Sequence, residues 1–195
     1  MIEERAAGLP AEAVSVLTYW FDELDEKDWF KKSKRLDDDI RKRFGDLHEQ
    51  ARRCECWRWR EAEDADTSAL GRLAEIILLD QFARNLYRDS ARAFEADALA
   101  LALAQQAVQM QADQRVEPRL RSFFYMPYMH SESALIHEEA IQLFDQTGLE
   151  YNLKFEKRHK DIIDRFGRYP HRNDLLGRAS TADEQTFLKE PGSSF

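Results

Sequence analysis

With 195 residues, 43% of them hydrophobic and only seven Gly and five Pro, the chain is long enough for one well-packed domain and cramped for two. A formal charge of −8 at neutral pH argues against non-specific binding to nucleic acid. No apolar run approaches the ~18 residues that would span a bilayer, and no basic start followed by an apolar stretch marks a signal peptide. Cys54 and Cys56, one residue apart, lack the spacing of a redox pair or zinc knuckle. They read as reduced thiols of a cytoplasmic protein.

Residues 1–9 read as a loose leader. Pro10 suits a helix start, and Val14, Leu17, Tyr19, Trp20, Phe21 and Leu24 make the following helix strongly apolar. A second helix is predicted from near Ser33, with Leu36, Ile40, Phe44 and Leu47 at helical spacing. Its first turn holds Asp37, Asp38 and Asp39, where the helix dipole favours acids. Trp57 and Trp59 would diverge on a helix, so one of them is expected to pack under a loop. Thr67 or Asp66 is placed to cap a third helix running to Phe82, and the run Ile76-Ile77-Leu78-Leu79 marks that helix as central. Asp80 shares its buried stripe, with Arg84 one turn on, so the two are expected to pair in the core.

After a turn from Asn85 to Ser90, an alanine-rich helix is predicted from Ala93 to Ala112. Pro118 and Pro127 bracket the aromatic stretch Phe123, Phe124, Tyr125 and Tyr128. Ser131 or Ser133 is placed to cap a helix through Phe144, which Gly148 ends. The next helix, 152–166, carries Phe155, Ile162, Ile163 and Phe166 on one face with His159 among them. Thr181 and Glu184 have capping-box spacing for a last short helix, and the tail from 190 reads as frayed. Nothing alternates as a strand should. The prediction is an all-α fold of seven or eight helices in antiparallel pairs, one domain spanning 1–195.

One segment stands out chemically. RFGRYPHRNDLLGRAST, Arg165 to Thr181, holds Arg165, Arg168, Arg172 and Arg178, all permanently charged. Gly167 and Pro170 should break the arriving helix into a compact polar turn. From Lys154 to Arg178 there are eight Lys/Arg against four Asp/Glu, a basic island on an acidic chain. That pattern suits a small anionic partner or an internal hub of ion pairs.

Three stretches, LGRLAEIILLDQFARNLYRDSARAF (Leu70–Phe94), RSFFYMPYMHSE (Arg121–Glu132) and HKDIIDRFGRYPHRNDLLGRAST (His159–Thr181), together resemble the bacterial domain-of-unknown-function 924 family. Ala83 departs from it, standing where the family usually has proline. The resemblance implies a tetratricopeptide-like α/α superhelix over nearly the whole chain. It implies no biochemical activity.

These stretches supply the candidate ligand-binding residues: Asp80, Arg84 and Asn85; Arg121, Tyr125, His130 and Glu132; His159, Arg165, Arg168, His171, Arg172 and Asn173. If their helix ends converge, guanidinium groups would grip a carboxylate or phosphate and a histidine would act as acid or base. Each has a structural alternative: Asp80–Arg84 as a core pair, His159 as a satisfied core histidine, the arginines as helix caps and carboxylate partners. His130-Ser131-Glu132 resembles the His-x-Glu of zinc deaminases, but the cysteine pair they need is missing. A metal shared by His130, Glu132, His159 and His171 is the remaining metal arrangement; no metal or cofactor is expected. No glycine-rich phosphate loop precedes a helix. Two functions fit: a peptide- or protein-binding module, favoured by analogy with helical superhelices, or a small-molecule site, possibly enzymatic, for a carboxylate or phosphate. An open groove would support the first and a closed pocket the second.

Overall fold

The computed structural model describes residues 1–194, and among them there is helix and turn but no strand. The α-helices are α1 (Ile2–Arg5), α2 (Ala11–Thr18), α3 (Glu26–Trp29), α4 (Lys34–Arg52), α5 (Ala65–Leu86), α6 (Asp97–Gln109), α7 (Pro118–Met129), α8 (Ala134–Phe144), α9 (Glu150–Phe166) and α10 (Ala182–Phe187). Each long helix packs on its successor from α4 to α9, and α2 closes on α5. No helix among the described residues is long and apolar enough to cross a membrane.

α5 is the centre of the stack. From Thr67 to Leu86 every residue but Ser68 and Arg84 is buried, as a helix apolar all round requires. Its cap is Asp64, whose Oδ1 accepts from the N–H groups of Asp66 and Thr67, so the helix begins slightly before the predicted start. It also runs past Phe82 to Leu86, because Ala83 leaves the hydrogen-bond ladder intact and Leu86 is buried at its end. Asn85, expected to open a turn, is therefore helical. Gly71 lets the backbone of the short 3-10 turn Trp57–Arg60 lie directly against α5: a Cβ added there would stand 1.8 Å from the Trp59 carbonyl oxygen.

Three further segments differ from expectation. The first residues form α1 and not a loose leader, since Ile2 and Ala6 are buried and the Ile2 N–H donates to Asp22 Oδ2 at 2.9 Å. The alanine-rich stretch splits into a 3-10 turn, Ala91–Phe94, and α6, whose Ala100, Ala104 and Ala107 are fully buried. The aromatic stretch is helical, with Pro118 opening α7 and Pro127 inside its last turn. In the tail, Ser193 is buried and its Oγ donates to the Leu188 carbonyl; Phe195 lies outside the described residues. The capping box at Thr181 and Glu184 forms as the spacing predicts.

Candidate functional site

α9 ends where the sequence says it should. Gly167 takes a left-handed φ of 68°, and its N–H donates to Ile163 O at 2.7 Å. Tyr169 then plunges into the core, fully buried, with its hydroxyl donating to Met129 O at 2.5 Å. Pinned at that ring, the arginine-rich turn sends its side chains in different directions.

Three of its polar residues serve as locks. Arg168 holds Glu184 through two hydrogen bonds of 2.6 and 2.8 Å and also donates to Ala179 O. Arg178 grips Glu132 the same way, at 2.6 and 2.9 Å, and Glu132 Oε1 accepts the Tyr169 N–H as well. Asn173 is fully buried, donating to Ser180 Oγ and accepting from Arg178 Nε. Arg165 is exposed and stacks on Phe166 and Phe187.

The Arg168 hydrogen bonds, more than any other cause, hold the Glu184 carboxyl down to about 2 from an ordinary 4.5. A depressed carboxyl pKa stabilises the fold above the unfolded value and loses that contribution as pH falls through the folded one. The docking of α10 should therefore weaken between about pH 4.5 and about pH 2. Melting temperatures followed through that window should fall less steeply in Arg168→Met than in the parent. Equal slopes would show that the lock does not carry the acid sensitivity.

Arg172 behaves differently. Its side chain is only 7% exposed, and its guanidinium is stacked 4.5 Å from the Phe94 ring centroid and 4.6 Å from that of Tyr169. Among the described residues that guanidinium makes one hydrogen bond, Nη1 to Asp97 Oδ2 at 3.3 Å, and buried Nε has no acceptor. Asp97 is already engaged: Arg84 donates to both its oxygens, at 2.8 and 3.0 Å, and to the Ala93 carbonyl besides. Burial first, and then the like charge of Arg84, push the pKa of Arg172 down. Both effects mark its charge as poorly compensated.

Asp80 completes the network from within α5. It is fully buried and accepts from Gln81 Nε2 at 2.6 Å. The predicted pair with Arg84 is a loose 3.6 Å contact, because Arg84 reaches beyond its own helix for the bidentate fork on Asp97. The tight partner is His130, at the C-terminal end of α7, whose Nδ1 lies 2.7 Å from Asp80 Oδ1. Burial alone would raise the Asp80 carboxyl pKa, but His130 and Arg84 outweigh it and the net shift is downward. With Nδ1–H committed to a carboxylate, Nε2 is the nitrogen His130 has left for chemistry. Among the described residues no hydrogen bond engages it. His130, Asp80, Arg84, Asp97 and Arg172 thus form one chain of contacts. Asp80 and Arg172 are its buried members, while Arg84, Asp97 and His130 are each about a fifth exposed.

The other histidines nearby are held neutral. Burial pushes His171, next to Arg172, down to about 4 and His159 down to about 3. His159 Nδ1 lies 2.9 Å from the Phe155 carbonyl, in keeping with a satisfied core histidine. His137 and Glu156, both wholly buried, pair at 2.6 Å between α8 and α9.

The structure does not bring all thirteen candidates together. Asn85 donates to Asp37, which Arg88 also grips, in a separate lock between α4 and α5. Arg121 and Tyr125 belong to a third cluster, where Tyr125 donates to Asp113 Oδ2 and Arg121 to Gln146 and two carbonyls. Asp97 and Phe94 were not among the candidates; the acid in the first turn of α6, just beyond the first motif, was the available signal. Among the described residues no three His, Cys, Asp or Glu side chains are arranged to hold a metal.

A family model described as bacterial protein of unknown function, DUF924, matches residues 16–192. The chain is also similar to a solved structure of a protein of unknown function from Agrobacterium tumefaciens, at 36% identity and a TM-score of 0.85, covering 92% of this chain and 97% of that one. No curated protein matches it.

Proposed function

The chain belongs to the DUF924 family of bacterial proteins of unknown function, and we propose that its Arg84–Arg172 cluster is a binding site for a small anion carrying a carboxylate or phosphate group. The observation that carries this reading is Arg172: a buried guanidinium, stacked between two rings, with an unpartnered Nε and a single shared carboxylate. A buried charge so poorly compensated destabilises its own fold. Arg168 and Arg178 show what this turn builds when an arginine is structural, namely a bidentate carboxylate and carbonyl contacts. Arg172 has the open donors that an incoming oxyanion would satisfy. A peptide-binding role rests on analogy of fold alone.

The test is thermal melting with and without millimolar acetate, succinate, phosphate and sulfate. Anions should raise the melting point of the parent, since a ligand at a hundred times its Kd adds about 2.7 kcal/mol. Arg172→Met, similar in volume and without charge, should melt at or above the parent in plain buffer and fail to respond to anions. If no anion shifts the parent, or Arg172→Met responds as the parent does, the reading is wrong.

A further inference from the structure

We propose that the cleft between the Tyr19–Glu23 turn and the start of α4 binds a small apolar amino acid as its zwitterion. It shares no residue with the Arg84–Arg172 cluster, and the inference stands apart from the reading above.

The cleft has a volume of about 430 Å³, within the range of small-molecule sites. Tyr19, 2% exposed, is the one lining residue that is itself buried. Its ring is held by Phe44 and Phe82 and by the Arg43 guanidinium, 4.3 Å from the centroid. Burial first, and then nearby Asp39, push the pKa of the phenol up, yet Asp39 stands outside hydrogen-bond geometry and the buried hydroxyl has no partner. A buried hydroxyl left so is destabilising. This one borders the cleft, where a ligand atom would satisfy it.

The charges along the lining come in both signs. Glu23 is already committed, since Arg43 holds both its oxygens, at 2.6 and 2.8 Å. That leaves the carboxylates of Asp28 and Asp39 and the cations of Lys31 and Arg35. Among the described residues no hydrogen bond or ion pair engages the side chains of Asp28, Lys31 or Arg35, and Asp39 has only a 3.9 Å contact with Arg43. Two carboxylates against two cations leave no net charge, so a lone anion or cation is attracted by one pair and repelled by the other. A zwitterion satisfies both. Its carboxylate is favoured by Lys31 and Arg35, at the N-terminal end of α4, whose dipole adds to their attraction. Its ammonium would donate to Asp39 or Asp28 and to the Tyr19 oxygen. Leu24 and Leu36, both partly buried, supply apolar surface for its side chain.

Calorimetric titration of the full chain with L-alanine, L-leucine and L-phenylalanine at neutral pH tests this. At least one of the three should bind saturably. Its N-acetyl derivative, without the ammonium, and its amide, without the carboxylate, should each bind about tenfold more weakly or worse. Tyr19→Phe removes only the unpartnered hydroxyl, so it should melt at or above the parent and bind the amino acid about tenfold more weakly. Arg35→Gln, at an exposed and unpaired position, should keep the parent's melting point and lose affinity likewise. Arg172→Met should bind the amino acid as the parent does. No binding of any of the three, a single-charge derivative binding as tightly as its parent amino acid, or affinity unchanged in either cleft variant would overturn the inference. So would loss of binding in Arg172→Met, which would place the ligand elsewhere. Should Tyr19→Phe fail to fold, Arg35→Gln decides.

Discussion

Gly71→Ala should lose more than about 3 kcal/mol of stability, at or beyond the upper end for overpacked core substitutions. The new Cβ would lie 1.8 Å from the Trp59 carbonyl oxygen, 2.7 Å from its carbon and 3.0 Å from Leu9 Cδ2. The first two are backbone atoms, so no side-chain rotation relieves the clash. The Trp57–Arg60 turn is also tied to α5 itself, since Ser68 Oγ donates to Arg60 O at 2.7 Å. To accept a methyl group the whole turn must retreat, opening the packing around Trp59. Gly45, in α4 with nothing within 4 Å of an added Cβ, is the matched control. Gly45→Ala should gain about 0.5–1 kcal/mol from helix propensity. Urea denaturation of the two variants separates steric clash from propensity. A Gly71→Ala protein unfolding at the parent's midpoint would mean that α5 and the turn are not in contact as described.

Asp80→Ala should cost about 3–5 kcal/mol. The carboxylate is fully buried and answers three donors at once: His130 Nδ1, Gln81 Nε2 and, more loosely, Arg84 Nη2. Removing it strands the amide of Gln81 in the core and leaves Arg84 and Arg172 facing Asp97 alone. Asp80→Asn keeps the shape, can still accept from His130, and should cost less. If both variants denature at the parent's midpoint, the network is decorative and α5 draws its stability from apolar packing only.

The parts of this molecule legible in the sequence were those governed by local rules. The burial of α5 follows from an apolar run with no polar face, and the break after α9 from Gly167 and Pro170. The capping box at Thr181 needed only two residues three apart. Partner choice was not legible, because it is settled by which elements meet. Helical spacing placed Arg84 beside Asp80, and they do lie close, yet Asp80 finds its tight partner fifty residues away in His130. Likewise nothing local separates Arg168 from Arg172. One meets the carboxylate of α10, while the other is carried between two rings toward an acid that is already engaged. The short α1 was missed for the same reason, its burial depending on Asp22 at the end of the next helical segment.

On the reading proposed, Arg172, the buried arginine of its turn, keeps donors for a ligand, whereas the half-buried Arg168 and Arg178 have committed theirs to carboxylates. The most direct measurement is nitrogen-detected or heteronuclear magnetic resonance of the arginine Nε–H groups, with each signal assigned by single Arg→Lys substitution. Acetate would be titrated against chloride at constant ionic strength. The Arg172 Nε–H signal should move along a saturable curve, while those of Arg168, held by Glu184, and Arg178, held by Asn173 Oδ1, stay in place. A stationary Arg172 signal, or all three drifting together without saturation, would contradict it.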